Sequence, residues 1–308
     1  MQQEFLTKPF TTNLKGIAIL LVVISHIGDG GFHHRVFVPL GGIGVAIFLI
    51  LSGYGLMESY KLKGFENYFK NRFMRLYIPY FIWISAYIII MNSLHLHIGI
   101  SDIRYWFIEY VSLWYIAFYI ILKYFNHYRW PLFGLVALVS FWILPCLQAQ
   151  QSLSFIVGIV ISEYKNEIVR IGKGTLWRYV SLFIVIGAFA FLSKQLLAIN
   201  LTASTSTDIL IVSNVGSDDI LRKFVQIFTK LPIALTIIPV FQFIFNELYF
   251  IRIGANAYEL YLVHMPLYHM INVNYLNLIY FLLIISISTI FLGWSNRKVT
   301  AFISNSMY

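Results

Sequence analysis

The stretch Asn13-Leu14-Lys15-Gly16-Ile17-Ala18-Ile19-Leu20-Leu21-Val22-Val23-Ile24-Ser25-His26 decides the fold. It opens with a cation, continues through apolar residues and ends on an imidazole. Eleven residues at about 1.5 Å each put His26 roughly 16 Å along a helix axis from Lys15. That is about half of a hydrocarbon core roughly 30 Å thick. An ionisable group is costly to keep at that depth and points to function. A histidine that only hydrogen-bonds a neighbouring helix fits the position as well.

The composition around this stretch is that of a membrane chain. Of 308 residues, 59% are hydrophobic and 11% charged, and the mean hydropathy is +0.76. A soluble protein carries about 25% charge. The reading is therefore an all-α, polytopic membrane helix bundle, one integral membrane domain over 1–308. Aromatic residues at 18% fit interfacial belts as well as packing. In a soluble protein the net charge of +9 would suggest nucleic acid. Here the cations fall in short loops, so topology and anionic headgroups account for them, and no nucleic-acid partner is expected. A single cysteine, Cys146, excludes an intrachain disulfide framework and a multi-cysteine zinc site. The first apolar run lies beside Lys8 and Lys15 without a small-residue cleavage site. It reads as a retained span rather than a signal peptide.

Ten apolar segments follow one another, near 14–28, 38–57, 76–94, 108–123, 131–147, 151–163, 178–199, 230–246, 253–272 and 275–294. With ten spans, Lys8, Lys15, the cations of 61–75 and those around 123–129, 165–178, 252 and 297–298 share one side. These are sixteen of the 22 Lys and Arg residues. The positive-inside rule then puts both termini and these loops in the cytoplasm. The localisation expected is the cell membrane, and the cytoplasmic membrane if the source is a bacterium. The polar segment 200–229, rich in Ser, Thr and Asp, falls outside. It is either a substrate-facing lid or a plain connector.

Several residues stand out against the apolar background. The loop 58–75 reads as a cytoplasmic amphipathic helix that can lie in the interface. Arg72 and Arg75, three apart, share a helix face and could instead hold a pyrophosphate through bidentate bonds. Span two carries Gly41, Gly42, Gly44, Gly53 and Gly55 with Ser52, a composition that allows close packing and an interhelical bond. Glu58, at its end, could pair with an arginine of the next loop.

Span nine contains Tyr258, Glu259, Tyr261, His264 and Pro266. His264 lies roughly 18 Å from Arg252 along a helix, a depth close to that of His26. Glu259 must be paired, protonated or near water. Pro266 suggests a kink, whose freed carbonyl needs a partner. Asp29 could orient His26 if the helix continues, or simply face solvent. The histidines form no strong metal pattern, so no metal is expected. No Walker loop, zinc-protease signature or nucleophile elbow is present.

Taken in order, these elements resemble the acyltransferase 3 family of integral membrane acyltransferases. The family's arginine, ten residues, then histidine corresponds to Lys15 and His26. Its Phe-x-x-Ser-Gly core is similar to Phe48-Leu49-Ile50-Leu51-Ser52-Gly53, with one extra residue. Its Arg-x-x-Arg-hydrophobic-x-x-Pro resembles Arg72-Phe73-Met74-Arg75-Leu76-Tyr77-Ile78-Pro79. Its Leu-Trp-Tyr/Phe element resembles Leu113-Trp114-Tyr115. Its late Ser-Tyr-x-x-Tyr-Leu-x-His-x-Pro resembles Ala257-Tyr258-Glu259-Leu260-Tyr261-Leu262-Val263-His264-Met265-Pro266. Two residues depart from it: Lys15 stands for an arginine and Ala257 for a serine. Lysine keeps the charge and loses the planar fork.

The resemblance implies O-acyl transfer, usually of acetyl, from acetyl-coenzyme A or another acyl-coenzyme A to a hydroxyl of a cell-envelope glycan. It implies His26 as the base, with Asp29 beside it, and Lys15, Arg72 and Arg75 at the donor's phosphates. Ser52, Trp114, Tyr258, Glu259 and His264 are left to bind substrate or support the site. The expected partners are the acyl-coenzyme A, a glycan or lipid-linked sugar acceptor, membrane lipids and, as an open option, a second copy of the chain. The alternative from another class is a transporter or flippase for a lipid-linked sugar, with His26, Glu259 and His264 along its path.

Overall fold

The computed structural model describes residues 6–28, 37–93, 105–201, 217–243, 249–271, 273 and 276–305. Among these residues every regular element is helical. Helix α1 covers Lys8–His26, α2 Val38–Lys63 and α3 Tyr68–Arg72. A π-helical turn, Phe73–Tyr77, joins α3 to α4, Ile78–Ser93. Then come α5 (Trp106–Tyr124), α6 (Arg129–Ile143), α7 (Cys146–Ala149), α8 (Ser154–Glu163) and α9 (Lys165–Arg170). The chain continues with α10 (Lys173–Leu201), α11 (Ser217–Phe243), α12 (Ile251–Ala255), α13 (Ala257–Ile271) and α14 (Leu278–Asn305).

Among the described residues, seven helices are long and apolar enough to cross a membrane: α1, α2, the joined α3–α4, α5, α10, α11 and α14. The apolar segments near 131–147, 151–163 and 253–272 are helical but shorter. Pro145 follows the extended Leu144 that ends α6. Asn256, outside helical geometry, divides α12 from α13. The stretch 58–75, expected as one amphipathic loop, is divided. Residues 58–63 prolong α2, and 68–75 open the next span. Gly64 (φ 59°) and Asn67 (φ 50°) make the turn between them in left-handed backbone, which these residue types tolerate best. Of the stretch 200–229, residues 202–216 lie outside the described residues, and from Ser217 the chain is already helical.

The α1–α2 pair is the spine. On one side Ile19, Val22 and Leu49 pack into a core with α5 and α13. On the other, Leu14, Ala18, Ile47 and Ile50 pack against residues of α11. Glycine sets the spacing where α2 meets α8. A Cβ on Gly53 would fall on the Phe155 carbonyl oxygen, and one on Gly158 on that of Ile50. Small residues permit such backbone approach between apolar helices.

Polar groups in this bundle are tied locally. Gln151 donates to the Gly42 carbonyl at 2.9 Å and accepts from Ser154 at 2.9 Å. Lys230 meets Gln150. Glu58 pairs with Lys61 and Lys165, each at 3.3 Å, and accepts from Ser162 at 2.7 Å. Its partners are thus lysines, since α8 brings Ser162 and the following Lys165 to the end of α2. Residues such as Val185, Phe189, Ile287 and Phe291 on α10 and α14 are exposed, as lipid-facing positions are.

Candidate active site

A cavity of about 670 Å³ lies between α1, α2, the start of the third span, α5, α13 and α14. On α2 its wall follows Val45, Phe48, Ser52, Gly55, Ser59 and Lys63, steps of three and four along one helix face. That stripe is about 27 Å long. Serine and glycine in its middle leave room beside the helix.

Cations gather at one end. Lys15 comes from α1, which α12 holds in place. Gly16 and Gly254 cross so closely that a Cβ on either would strike the other helix's backbone. The Asn13 side-chain oxygen accepts the Phe250 N–H at 2.8 Å. Arg72 and Arg75 reach the same cavity across the π-helical turn. Pro79 explains why a turn of this kind fits there, because it has no N–H to return to the Arg75 carbonyl.

The Arg72 guanidinium lies 5.3 Å from the Tyr68 ring centre and 5.6 Å from that of Tyr115. The Tyr68 hydroxyl donates to the Tyr115 backbone carbonyl at 2.8 Å, which fixes the Tyr68 ring against α5. The Arg72 Nε is buried without a hydrogen-bond partner among the described residues. Among the described residues, none of Lys15, Arg72 and Arg75 has a carboxylate within 4.0 Å. With Lys63 these make four cations lining one space; they repel each other, and a polyanion in that space would reverse the sign of the interaction.

Polar neighbours line the same region. Glu259 is buried and accepts from the Asn296 amide at 3.2 Å. The Tyr258 hydroxyl donates to the Leu76 carbonyl at 2.7 Å, so its proton is committed to joining α13 to the π-helical turn.

The other end is apolar, with Val22, Val45, Phe48, Phe107, Val111 and Tyr261. Ring centres follow one another there: Phe48 to Phe107 at 6.2 Å, and Phe107 to Tyr261 at 5.3 Å. Tyr261 packs on His264 at 5.7 Å, and His264 on His26 at 5.4 Å. The histidine pair therefore stands one ring beyond the cavity.

His264 Nδ1 is 2.7 Å from the Tyr261 carbonyl and 3.2 Å from that of Leu260. Carbonyls only accept, so Nδ1 carries the proton, and in the neutral ring Nε2 keeps a lone pair. That Nε2 is buried with no hydrogen-bond partner among the described residues. Pro266 has no N–H for the Leu262 carbonyl. The Tyr105 hydroxyl supplies the missing donor at 2.7 Å, and itself accepts from the Trp83 indole at 2.9 Å.

The structure thus brings together Lys15, Ser52, Arg72, Arg75, Tyr258 and Glu259 in one cavity wall, and His26 with His264 behind it. Trp114 is not in this wall. It is fully buried and stacks on Phe155 at 5.1 Å, because its face of α5 turns toward α8. Its neighbour Tyr115 takes the cavity position. Asp29 lies outside the described residues. Phe107, Asn296 and Ser59 are lining residues that sequence reading passed over, and Phe48 and Tyr115 enter it only as motif positions. The signal for some was available: 107, 111 and 115 are spaced by four, and 48, 52, 55 and 59 by three or four.

A family model described as an acyltransferase domain matches residues 10–295, nearly the whole chain. No curated protein and no solved structure matches it.

Proposed function

The chain belongs to the acyltransferase 3 family, and on that premise we propose that this membrane acyltransferase moves an acetyl group from acetyl-coenzyme A to a hydroxyl of a cell-envelope glycan. The observation that carries the donor reading is the cation set. Lys15, Arg72 and Arg75 come from two separate spans, line one cavity and have no carboxylate within 4.0 Å among the described residues. A donor with a pyrophosphate and a further phosphate complements them, Arg72 through bidentate bonds and Lys15 as a point charge. The cavity's long stripe and apolar end suit an extended arm that ends in a thioester.

His26 is the base in this reading. Its ring takes the proton of the acceptor hydroxyl as the oxygen attacks the thioester carbonyl carbon. The new C–O bond forms, the C–S bond breaks, and the proton passes to the departing sulfur to give coenzyme A as its thiol. His264, fixed through Nδ1 to the Tyr261 carbonyl, supports the His26 ring. Trp114 is buried in the core and Tyr258 donates to Leu76, so an oxyanion donor is sought elsewhere in the wall. The acceptor approaches from the side opposite the cations, which is the outer face under the positive-inside rule.

The test is donor cleavage. Purified protein in nanodiscs receives acetyl-coenzyme A and an envelope-glycan fraction, and free thiol is followed over time beside His26→Ala. Thiol release that vanishes in a folded variant supports the assignment. No release and no donor binding by the wild type refutes it.

A further inference from the structure

We propose that His264 is a positioning residue whose Nε2 accepts an N–H from the His26 ring and so fixes which nitrogen of His26 acts as the base. The inference rests on the reading of His26 as base and adds to it what orients that ring. The two histidines differ in access. His26 is half-buried, whereas His264 is 2% exposed and its Nε2 is sealed from solvent. Its Nδ1–H is committed to the Tyr261 and Leu260 carbonyls at 2.7 and 3.2 Å, so the neutral ring can only accept at Nε2. A buried acceptor left unmet is costly enough to call for a reason.

Two rings pack on His264 among the described residues, Tyr261 and His26, and the second carries an N–H in its plane in either tautomer. An N–H···N bond of about 3 Å, with each nitrogen about 1.2 Å from its ring centre, sets two imidazole centres roughly 5.4 Å apart. The His26 and His264 centres are 5.4 Å apart, with 40° between the planes, a twist such a bond tolerates. The Gly16–Gly254 crossing and the Asn13–Phe250 bond tie α1 to the segment that leads into α13. Closing the bond therefore asks for ring rotation rather than helix movement, and catalytic hydrogen bonds often tighten only with substrate in place. The His26 nitrogen turned to His264 then carries the proton, and the other carries the lone pair that takes the acceptor's hydrogen. With that hydrogen His26 is an imidazolium with two N–H groups. One donates to His264 Nε2 in a charge-assisted bond, stronger than the neutral one, and the other passes its proton to the departing sulfur. His264 neither gains nor loses a proton. Its contribution grows as charge develops on His26, which is what lowers a barrier.

Two amides at position 264 separate the roles of the two ring nitrogens. His264→Asn puts an N–H where Nδ1 stands and no acceptor where Nε2 stands. His264→Gln puts an oxygen near the Nε2 position and gives up the bond to Tyr261. Transfer is followed in nanodiscs with acetyl-coenzyme A and the envelope-glycan fraction, with kcat counted per coenzyme-A-binding molecule, so unfolded protein does not enter. His264→Asn should lower kcat about tenfold or more with the donor KM unchanged, and His264→Gln should keep about tenfold more of it than His264→Asn. A His264→Asn protein as active as His264→Gln or more so, or a loss confined to KM, is what a merely structural histidine gives and overturns the inference. Solid-state NMR on wild-type protein with isotope-labelled histidine and bound coenzyme A reads the bond without a variant. A nitrogen–nitrogen coupling between two histidine rings, lost in His26→Ala, is expected, and its absence from the wild type overturns the inference as well. Full activity of His26→Ala would overturn the base reading itself, and the role of His264 with it.

Discussion

At the scale of single residues, the cavity depends on how Arg72 is held. Its guanidinium lies against the rings of Tyr68 and Tyr115, and the Tyr68 hydroxyl is tied to the Tyr115 backbone carbonyl. Lysine keeps the charge there but loses the planar stacking and the fork. Arg72→Lys should therefore raise the KM for the donor about tenfold, about 1.4 kcal/mol, with kcat little changed. Steady-state kinetics separates the two. Lys15→Arg restores a fork at the opposite wall and should tighten donor binding several-fold, whereas Lys15→Gln should weaken it. Calorimetric titration with coenzyme A reads both. Lys15, His26, Arg72, Glu259 and His264 were legible in the sequence because a charge or imidazole in an apolar run is an exception. The aromatic end was not. In a chain with 27 Phe and 21 Tyr, one more ring carries no contrast.

At the scale of elements, helix contacts set by glycine and by captured carbonyls position the walls. A side chain on Gly254 would collide with α1 at the Thr12 carbonyl. Gly254→Val should destabilise the fold by about 1–3 kcal/mol or more, seen as a lower unfolding temperature in detergent. Tyr105→Phe removes the donor that Pro266 makes necessary and also leaves the Trp83 indole unpaired. A loss of about 1–3 kcal/mol is expected, and a Tyr105→Phe protein as stable as the wild type would contradict the capture. Helices were legible from their apolar runs. Their interruptions were harder to see. Arg72 and Arg75 were read as one α-helical face, but the turn between them is π-helical, a feature of hydrogen-bond geometry that residue spacing does not encode. The need for a partner at a carbonyl freed by Pro266, which stands inside the unbroken α13, was legible. Its remedy was not, because Tyr105 lies far away in the chain.

At the scale of the whole molecule, a basic end and an apolar end lie within one cavity of a multi-pass bundle. Attraction between fixed cations and a polyanionic donor is screened by salt, with a Debye length of about 10 Å at 0.1 M. Donor binding should weaken steadily as salt rises, and a salt-independent affinity would argue against the cationic anchor. Orientation can be read through cysteines. After Cys146→Ser, a Lys63→Cys protein in intact cells should resist a membrane-impermeant maleimide and react once the membrane is opened. Labelling before opening would place the cavity's basic end outside. The apolar runs carried the class of fold, and the Lys and Arg of the loops carry an expected orientation that the labelling experiment tests. The pairing of helices around a cavity came from contacts between distant runs, which no single stretch displays.

The π-helical turn at Phe73–Tyr77 also bears on how such a protein changes over evolutionary time. A π turn is an α-helix with one residue inserted. Deleting one codon there would restore α geometry and rotate all that precedes it by about 100° around the helix axis. Arg72 would swing out of its slot while Pro79 and the span beyond kept their places. Within this fold, one codon's gain or loss is therefore enough to bring Arg72 into the cavity or take it out, and with it the proposed donor anchor.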